Sequence, residues 1–203
     1  MSQDVFSEGF WDERYGSEDR IWSGQPNAQL VQRVTSLRPG HALEVGAGEG
    51  ADAIWLARQG WQVTAFDVSQ VALDKAAAHA VQADVADHVR WLRVDLSTWI
   101  GEPDTYDLVT ALFMYLDQPA MTTLYRQLGA AVAPGGTLLL VGHHPIDPRH
   151  GDHDFPDVRW TGEQAAAWLD ADDWESIDVD MVRREGHLGT MHDGIVQAVK
   201  AAT

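Results

Sequence analysis

The chain has no cysteine, which excludes disulfides, cysteine-ligated zinc and thiol catalysis. That absence also fits a reducing cytoplasm, the compartment expected for it. Lysine is scarce as well: of 14 basic residues only Lys75 and Lys200 are lysines, against 31 aspartates and glutamates. The formal charge of −17 disfavours nucleic acid and anionic membranes as partners, because those surfaces call for clustered Lys and Arg. Its plainest meaning is a solubility or genome-composition bias. No apolar run approaches the ~18 residues of a membrane span. The polar, acidic opening Met1 to Gly9 does not read as a signal peptide. Internal repeats and low-complexity linkers are missing too. What is present, 203 residues with 45% hydrophobic and 22% charged, suits a single domain, residues 1–203, with a full core.

Strand and helix signals alternate along the chain, as a parallel α/β sheet requires. Helices are expected over Pro26 to Leu37, Ala51 to Gln59, a stretch from the cap Ser69 to about Ala83, Gln118 to Val132, and Gly162 to Leu169. Strands are expected at His41 to Val45, Trp61 to Phe66, Val89 to Val94, Tyr106 to Phe113 and Thr137 to Val141. Two more, Trp174 to Val182 and Gly194 to Val199, are joined through Gly186 to His192. Right-handed crossovers place the early strands in one doubly wound sheet, with the last strand antiparallel. Ligands in such sheets sit beyond the carboxyl ends of the strands.

The first strand runs into Glu44-Val45-Gly46-Ala47-Gly48-Glu49-Gly50. Glycines at a strand-to-helix turn let the backbone approach a ligand closely, and the helix that follows presents free N–H groups. Gly46, Gly48 and Ala51 also satisfy the dinucleotide pattern, so the turn alone leaves the cofactor open. Glu44 weighs against a pyrophosphate, which its carboxylate repels, and for a cofactor with cationic groups. Asp67, 21 positions after Gly46, is placed to accept hydrogen bonds from a ribose diol, since Ser69 is the better helix cap. Asp95 suits an adenine amino group, with Leu96 over the ring, or else caps a turn at Ser97 to Trp99. Leu112 to Tyr115 end the fourth strand, where Met114 and Tyr115 are expected to wall the pocket.

His143 and His144 follow the fifth strand and are the candidate general bases. The long irregular segment 143–160 is a candidate substrate-side loop. His143, His144, His150, Asp152, His153 and Asp154 include metal-binding residue types, but their spacing matches no regular ligand motif, so no metal is expected.

Glu44-x-Gly46-x-Gly48-x-Gly50, Asp67, Asp95, Tyr106-Asp107-Leu108-Val109 and Pro134-Gly135-Gly136 together resemble the class I S-adenosylmethionine-dependent methyltransferases, from about residue 10 to 200. The chain looks similar to the small single-domain branch that includes thiopurine and tellurite-resistance methyltransferases. Trp11-Asp12-Glu13-Arg14-Tyr15 and Trp22 resemble that branch's N-terminal cover, here residues 1–24. The resemblance implies a Rossmann-like seven-stranded sheet of order 3-2-1-4-5-7-6. It implies S-adenosylmethionine as cofactor, with Gly46, Ala47 and Gly48 near its methionine and ribose portions and Glu44 supporting the amino group indirectly. Asp67 and Val68 then hold the ribose, Asp95 and Leu96 the adenine, Leu112 the aminoacyl portion, and Trp11 and Tyr15 close over the methionine end. Trp22, Phe113 and Tyr115 are left to meet the substrate, with Phe155 or Trp160 from the long loop adding to the aromatic supply.

The expected reaction is direct in-line methyl transfer to a small thiol, phenol or similar acceptor by a monomer or homodimer. The lack of an Asn-Pro-Pro-Tyr sequence after the fourth strand argues against amino-methylation of bases or glutamine. Two other readings stay open: a non-catalytic S-adenosylmethionine-binding regulatory module, and a NAD-dependent oxidoreductase.

Overall fold

Five residues, His41–Val45 (β1), set the geometry of everything that follows. Four of the five are buried, as a central strand covered on both faces demands. Their alternation sends Leu43 and Val45 to one side of the sheet and Ala42, with Glu44, to the other. The computed structural model describes residues 7–114, 116–146, 158–186 and 189–202.

The remaining strands are β2 (Gln62–Asp67), β3 (Val89–Arg93), β4 (Tyr106–Leu112), β5 (Val132–His143), β6 (Trp174–Gly186) and β7 (Gly189–Lys200). They form one seven-stranded sheet in the order β3-β2-β1-β4-β5-β7-β6. β1 to β5 are parallel, whereas β7 runs antiparallel to both β5 and β6. The order, the mixed direction and the flanking helices agree with expectation. Register brings Val45 beside Phe66 and Ala111, so the carboxyl ends of β1, β2 and β4 form one level edge. Because β7 is reversed, its early residue Asp193 pairs with His143 at the end of β5.

The helices are α1 (Glu8–Gly16), α2 (Ala28–Val34), α3 (Ala51–Arg58), α4 (Gln70–Gln82), α5 (Gln118–Ala131) and α6 (Gly162–Ala166). Ser69 caps α4 by accepting the Ala72 N–H, and Thr161 opens α6 with a reciprocal capping box with Gln164. One face of the sheet packs Leu43, Val109 and Leu138 against Tyr125 and Trp160. The other packs Ala42, Val63 and Leu139 against Leu30, Leu56 and Trp61.

Three departures from expectation bear on function. First, α1 is a helix within the cover segment. Second, β6 and β7 are longer than the pattern suggested, pairing as far as Gly186 with Gly189. Third, Trp160 does not reach the cleft. It is 1% exposed and sits edge-on to Tyr125 in the core, where a Cβ on Gly142 would come within 2.6 Å of its ring. Phe155, His150, Asp152, His153, Asp154 and Tyr115 lie outside the described residues.

Candidate active site

The glycine turn after β1 is held open by backbone geometry. Gly46, Gly48 and Gly50 have φ of +74°, +52° and +85°, the left-handed region that disfavours other residues. The Gly46 and Ala47 N–H groups both donate to the Phe66 carbonyl, at 2.8 and 2.9 Å. The turn is thereby fixed to the end of β2, where Asp67 follows. Asp67 Oδ2 accepts the Gly48 N–H at 2.8 Å and its Oδ1 accepts the Ser69 N–H at 2.9 Å. Each oxygen keeps a lone pair, enough for a vicinal diol. Burial pushes the Asp67 carboxyl upward, against the lowering pull of these backbone donors.

Above the turn lies the cover. Asp12 of α1 accepts the Ser69 hydroxyl proton at 2.5 Å and the Val71 N–H at 3.3 Å, docking α1 on the start of α4. Lys75 reaches up from α4 to the carbonyls of Tyr15 and Glu18. Tyr15 is buried beside Trp11, with ring centroids 5.8 Å apart, and its hydroxyl accepts the Trp22 indole N–H at 3.1 Å. Burial raises the Tyr15 phenol well above its ordinary range, so it stays protonated. Glu49, 6% exposed, accepts the Ile21 and Trp22 N–H groups. Asp52, in the first turn of α3, accepts the Asn27 N–H. Glu49 thus ties the cover to the glycine turn, and Asp52 ties the start of α2 to α3.

Beneath the cover is a cavity of about 540 Å³. Trp11, Tyr15, Trp22, Glu44, Gly46, Ala47, Gly48, Asp67, Val68, Asp95, Leu96, Leu112, Phe113 and His143 all line it. One space therefore gathers every described residue expected at the site except His144 and Trp160. The His144 ring accepts the Ile146 N–H instead, so of the paired histidines only His143 meets the cavity. Asp95 caps the turn at Ser97, since its Oδ1 accepts the Ser97 N–H and hydroxyl, and the same residue borders the cavity.

Glu44 carries the clearest sign of a missing partner. Its Oε2 is buried without a hydrogen bond, a costly state for a carboxylate. Burial, then the nearby charges of Asp52 and Asp67, drive its pKa well up. Burial likewise raises Asp52 from 3.8 to about 6. An ammonium group brought here would relieve all three. The glycine cradle, the diol-ready Asp67 and this acidic cluster fit S-adenosylmethionine, whose ammonium and sulfonium groups are cationic.

Four residues were given no role in the sequence: Glu49 in the glycine turn, Asp52 in the first turn of α3, and Asp193 and Arg184 on the β6–β7 hairpin. Asp193, 2% exposed, accepts the Arg184 Nε–H at 2.6 Å and lies 3.8 Å from His143 Nδ1. His143 stacks on Phe113 at 4.6 Å, with the Arg184 guanidinium 5.4 Å from the same ring. Phe113 has φ +53°, strain tolerated where the end of β4 must turn a ring into the site.

Residues 42–136 match the family described as a methyltransferase domain. With the sheet order and the acidic glycine cradle, the match makes the chain similar to the class I S-adenosylmethionine-dependent methyltransferases and supports that reading of it. The ubiquinone biosynthesis O-methyltransferase of Alkalilimnicola ehrlichii is 32% identical over 110 residues, 54% of this chain and 44% of that protein. The match thus spans under half the length of that curated relative. Among solved structures, one from a study of the conversion of a disulfide bond into a thioacetal group during echinomycin biosynthesis superposes with a TM-score of 0.73 at 18% identity, covering 97% of this chain and 93% of that one. TehB from Haemophilus influenzae superposes at 0.68 with 17% identity, covering 95% and 66%. These two likenesses speak for the fold.

No helix among the described residues is long and apolar enough to cross a membrane.

Proposed function

We propose that the chain, acting as one domain under its cover 1–24, transfers the methyl group of S-adenosylmethionine to a hydroxyl or thiol of a small aromatic acceptor. The observation that carries this reading is the division of one cavity into two chemistries. Glu44, Asp52 and Asp67 surround one end, while Phe113, His143, Asp193 and Arg184 form another wall. The matched relative named as an O-methyltransferase favours oxygen as the acceptor atom.

S-adenosylmethionine, when bound, supplies an electrophilic methyl on a sulfonium and is left as the neutral thioether S-adenosylhomocysteine. Gly46, Gly48, Glu44 and Asp67 hold its amino acid and ribose portions, with Asp95 and Leu96 at the adenine. Trp11, Tyr15 and Trp22 exclude water from above. Phe113 presents a ring face against which a flat acceptor stacks, fixing its approach. His143 removes the proton of an acceptor hydroxyl as the new bond to carbon forms. Its Nδ1 side is turned to Asp193, so Nε2 meets the acceptor, and the Asp193 carboxylate favours the imidazolium that results. Asp193 is a positioning residue in this scheme. A thiolate acceptor needs no base.

The test is calorimetric titration with S-adenosylhomocysteine, followed by methyl transfer from labelled S-adenosylmethionine to a panel of phenols and thiols. Tight cofactor binding with turnover of a phenol or thiol is expected. No binding ends the proposal, and binding without turnover across the panel favours a regulatory module.

A further inference from the structure

Six carboxylates line the cavity, Glu44, Glu49, Asp52, Asp67, Asp95 and Asp193, against a single lysine or arginine side chain among the described residues, Arg184. That arginine is built into place. Its Nε–H donates to the buried Asp193 at 2.6 Å, and its guanidinium lies over the Phe113 ring. Asp193 and Arg184 stand diagonally across the β6–β7 ladder, where Asp193 pairs with Val182. A bond through Nε alone leaves the four Nη protons of the guanidinium, which form a planar fork suited to a carboxylate. A purely structural ion pair on the hairpin has no need to border the cavity, yet this one does, beside the ring proposed to stack the acceptor.

We propose that Arg184 binds a carboxylate on the acceptor, making the substrate class small aromatic or thiol-bearing acids. This inference rests on the methyltransferase reading above. Charge supplies orientation as well as affinity. An anionic acceptor is repelled by the acidic end of the cavity and attracted only to Arg184. Its carboxylate is therefore held on the β6–β7 side, which fixes which atom faces His143.

Methyl transfer is measured over matched acids and methyl esters: 3,4-dihydroxybenzoate, caffeate and 3-mercaptopropionate, each with its ester. At least one acid is expected to exceed its ester by tenfold or more in kcat/KM. Arg184→Gln should bring that ratio close to one by raising the KM of the acid. Arg184→Lys should retain part of it, since an ammonium keeps the charge but loses the fork. S-adenosylhomocysteine affinity, read by calorimetry, reports whether each variant is folded, and Arg184→Lys carries the test if Arg184→Gln is not. Wild-type protein that prefers no acid over its ester, or a folded variant that keeps the full preference, overturns the inference alone. Wild-type protein that binds no S-adenosylhomocysteine overturns the reading beneath it.

Discussion

Glu49, the fourth residue of the glycine turn that opens at Gly46, accepts the backbone N–H of Trp22 at 3.1 Å. The same carboxylate takes the Ile21 N–H, and Lys75 lies 3.4 Å away. A side chain at the floor of the site therefore holds the roof. Glu49→Gln keeps one acceptor oxygen but gives up the charge that binds two N–H donors and Lys75. The expected cost is about 1–3 kcal/mol of stability. S-adenosylhomocysteine should dissociate at least tenfold faster, with association little changed, as read by stopped-flow tryptophan fluorescence from Trp11 and Trp22. A variant with wild-type dissociation would show that the cover is held by other contacts.

Gly48 ties the turn to the cover in a second way. At φ +52°, a Cβ there would lie 2.8 Å from the Tyr15 hydroxyl. Gly48→Ala thus meets both left-handed strain, about 1–2 kcal/mol, and displacement of the ring that caps the cavity. Gly135, at φ +75° with open space around it, separates the two effects. Thermal unfolding should show both alanine variants losing roughly 2–8 °C. S-adenosylhomocysteine affinity should fall only for Gly48→Ala.

How much of this was legible in the sequence depends on how local each signal is. The bounds of β1, the cap at Ser69 and the placement of Asp67 and Asp95 follow from glycine turns, capping residues and sheet topology, all of which are short-range or rule-bound. The α1 helix was not legible. Its lasting bonds, Asp12 to Ser69 and Lys75 to the Tyr15 and Glu18 carbonyls, cross more than fifty positions of sequence, and a nine-residue helix is marginal without such help. Arg184 and Asp193 were missed for another reason. The charged stretch Arg183-Arg184-Glu185 falls between the expected end of the sixth strand at Val182 and the connection from Gly186, yet Glu185 pairs with Thr190 in the ladder. Gly186 and Gly189, separated by two residues in the sequence, were the available sign of a tight hairpin. Glu49 stood in plain view but filled a variable position of the glycine motif, and Asp52 lay just past it in the first turn of α3, where only the fold reveals a partner.

Asp67 joins cofactor recognition to the architecture of the turn. Asp67→Ala removes the acceptor of the Gly48 and Ser69 N–H groups along with the proposed ribose contact, so stability should fall by about 1–3 kcal/mol. S-adenosylhomocysteine affinity should fall at least tenfold by calorimetry. Asp67→Asn keeps one oxygen and should recover most of the stability, judged by urea denaturation, while recovering little of the affinity. Equal recovery of both would mean that Asp67 acts only on the turn.

The acidic cluster makes stability and binding depend on pH in opposite senses. Burial raises Asp52 from 3.8 to about 6, and burial with neighbouring charge raises Glu44. Between pH 3.8 and about 6 Asp52 holds more of its proton in the folded protein than in the unfolded chain, so stability falls as pH rises through that window, and Glu44 adds a loss of the same sign. A cationic ligand favours the ionised carboxylates and expels those protons. The free protein should therefore lose urea resistance from pH 4 to 7 on account of these groups, and S-adenosylhomocysteine affinity should rise from pH ~5 to ~7. Calorimetry in buffers of different ionisation enthalpy should record net proton release near pH 6, and Asp52→Asn should shrink it. Proton uptake on binding would contradict the placement of a cation beside Glu44 and Asp52.

His143 is the last group whose role can be separated by experiment. A base matters in proportion to how firmly the acceptor holds its proton. His143→Gln should lower kcat by roughly 10²–10⁴ for a phenol, while leaving S-adenosylhomocysteine affinity and the turnover of a thiolate nearly unchanged. Asp193→Asn should share the phenol defect to a smaller degree, because it keeps the shape beside His143 but not the charge that favours an imidazolium. Loss of phenol and thiolate turnover to the same extent in His143→Gln would assign the ring to packing against Phe113, at 4.6 Å between centroids, and not to proton transfer.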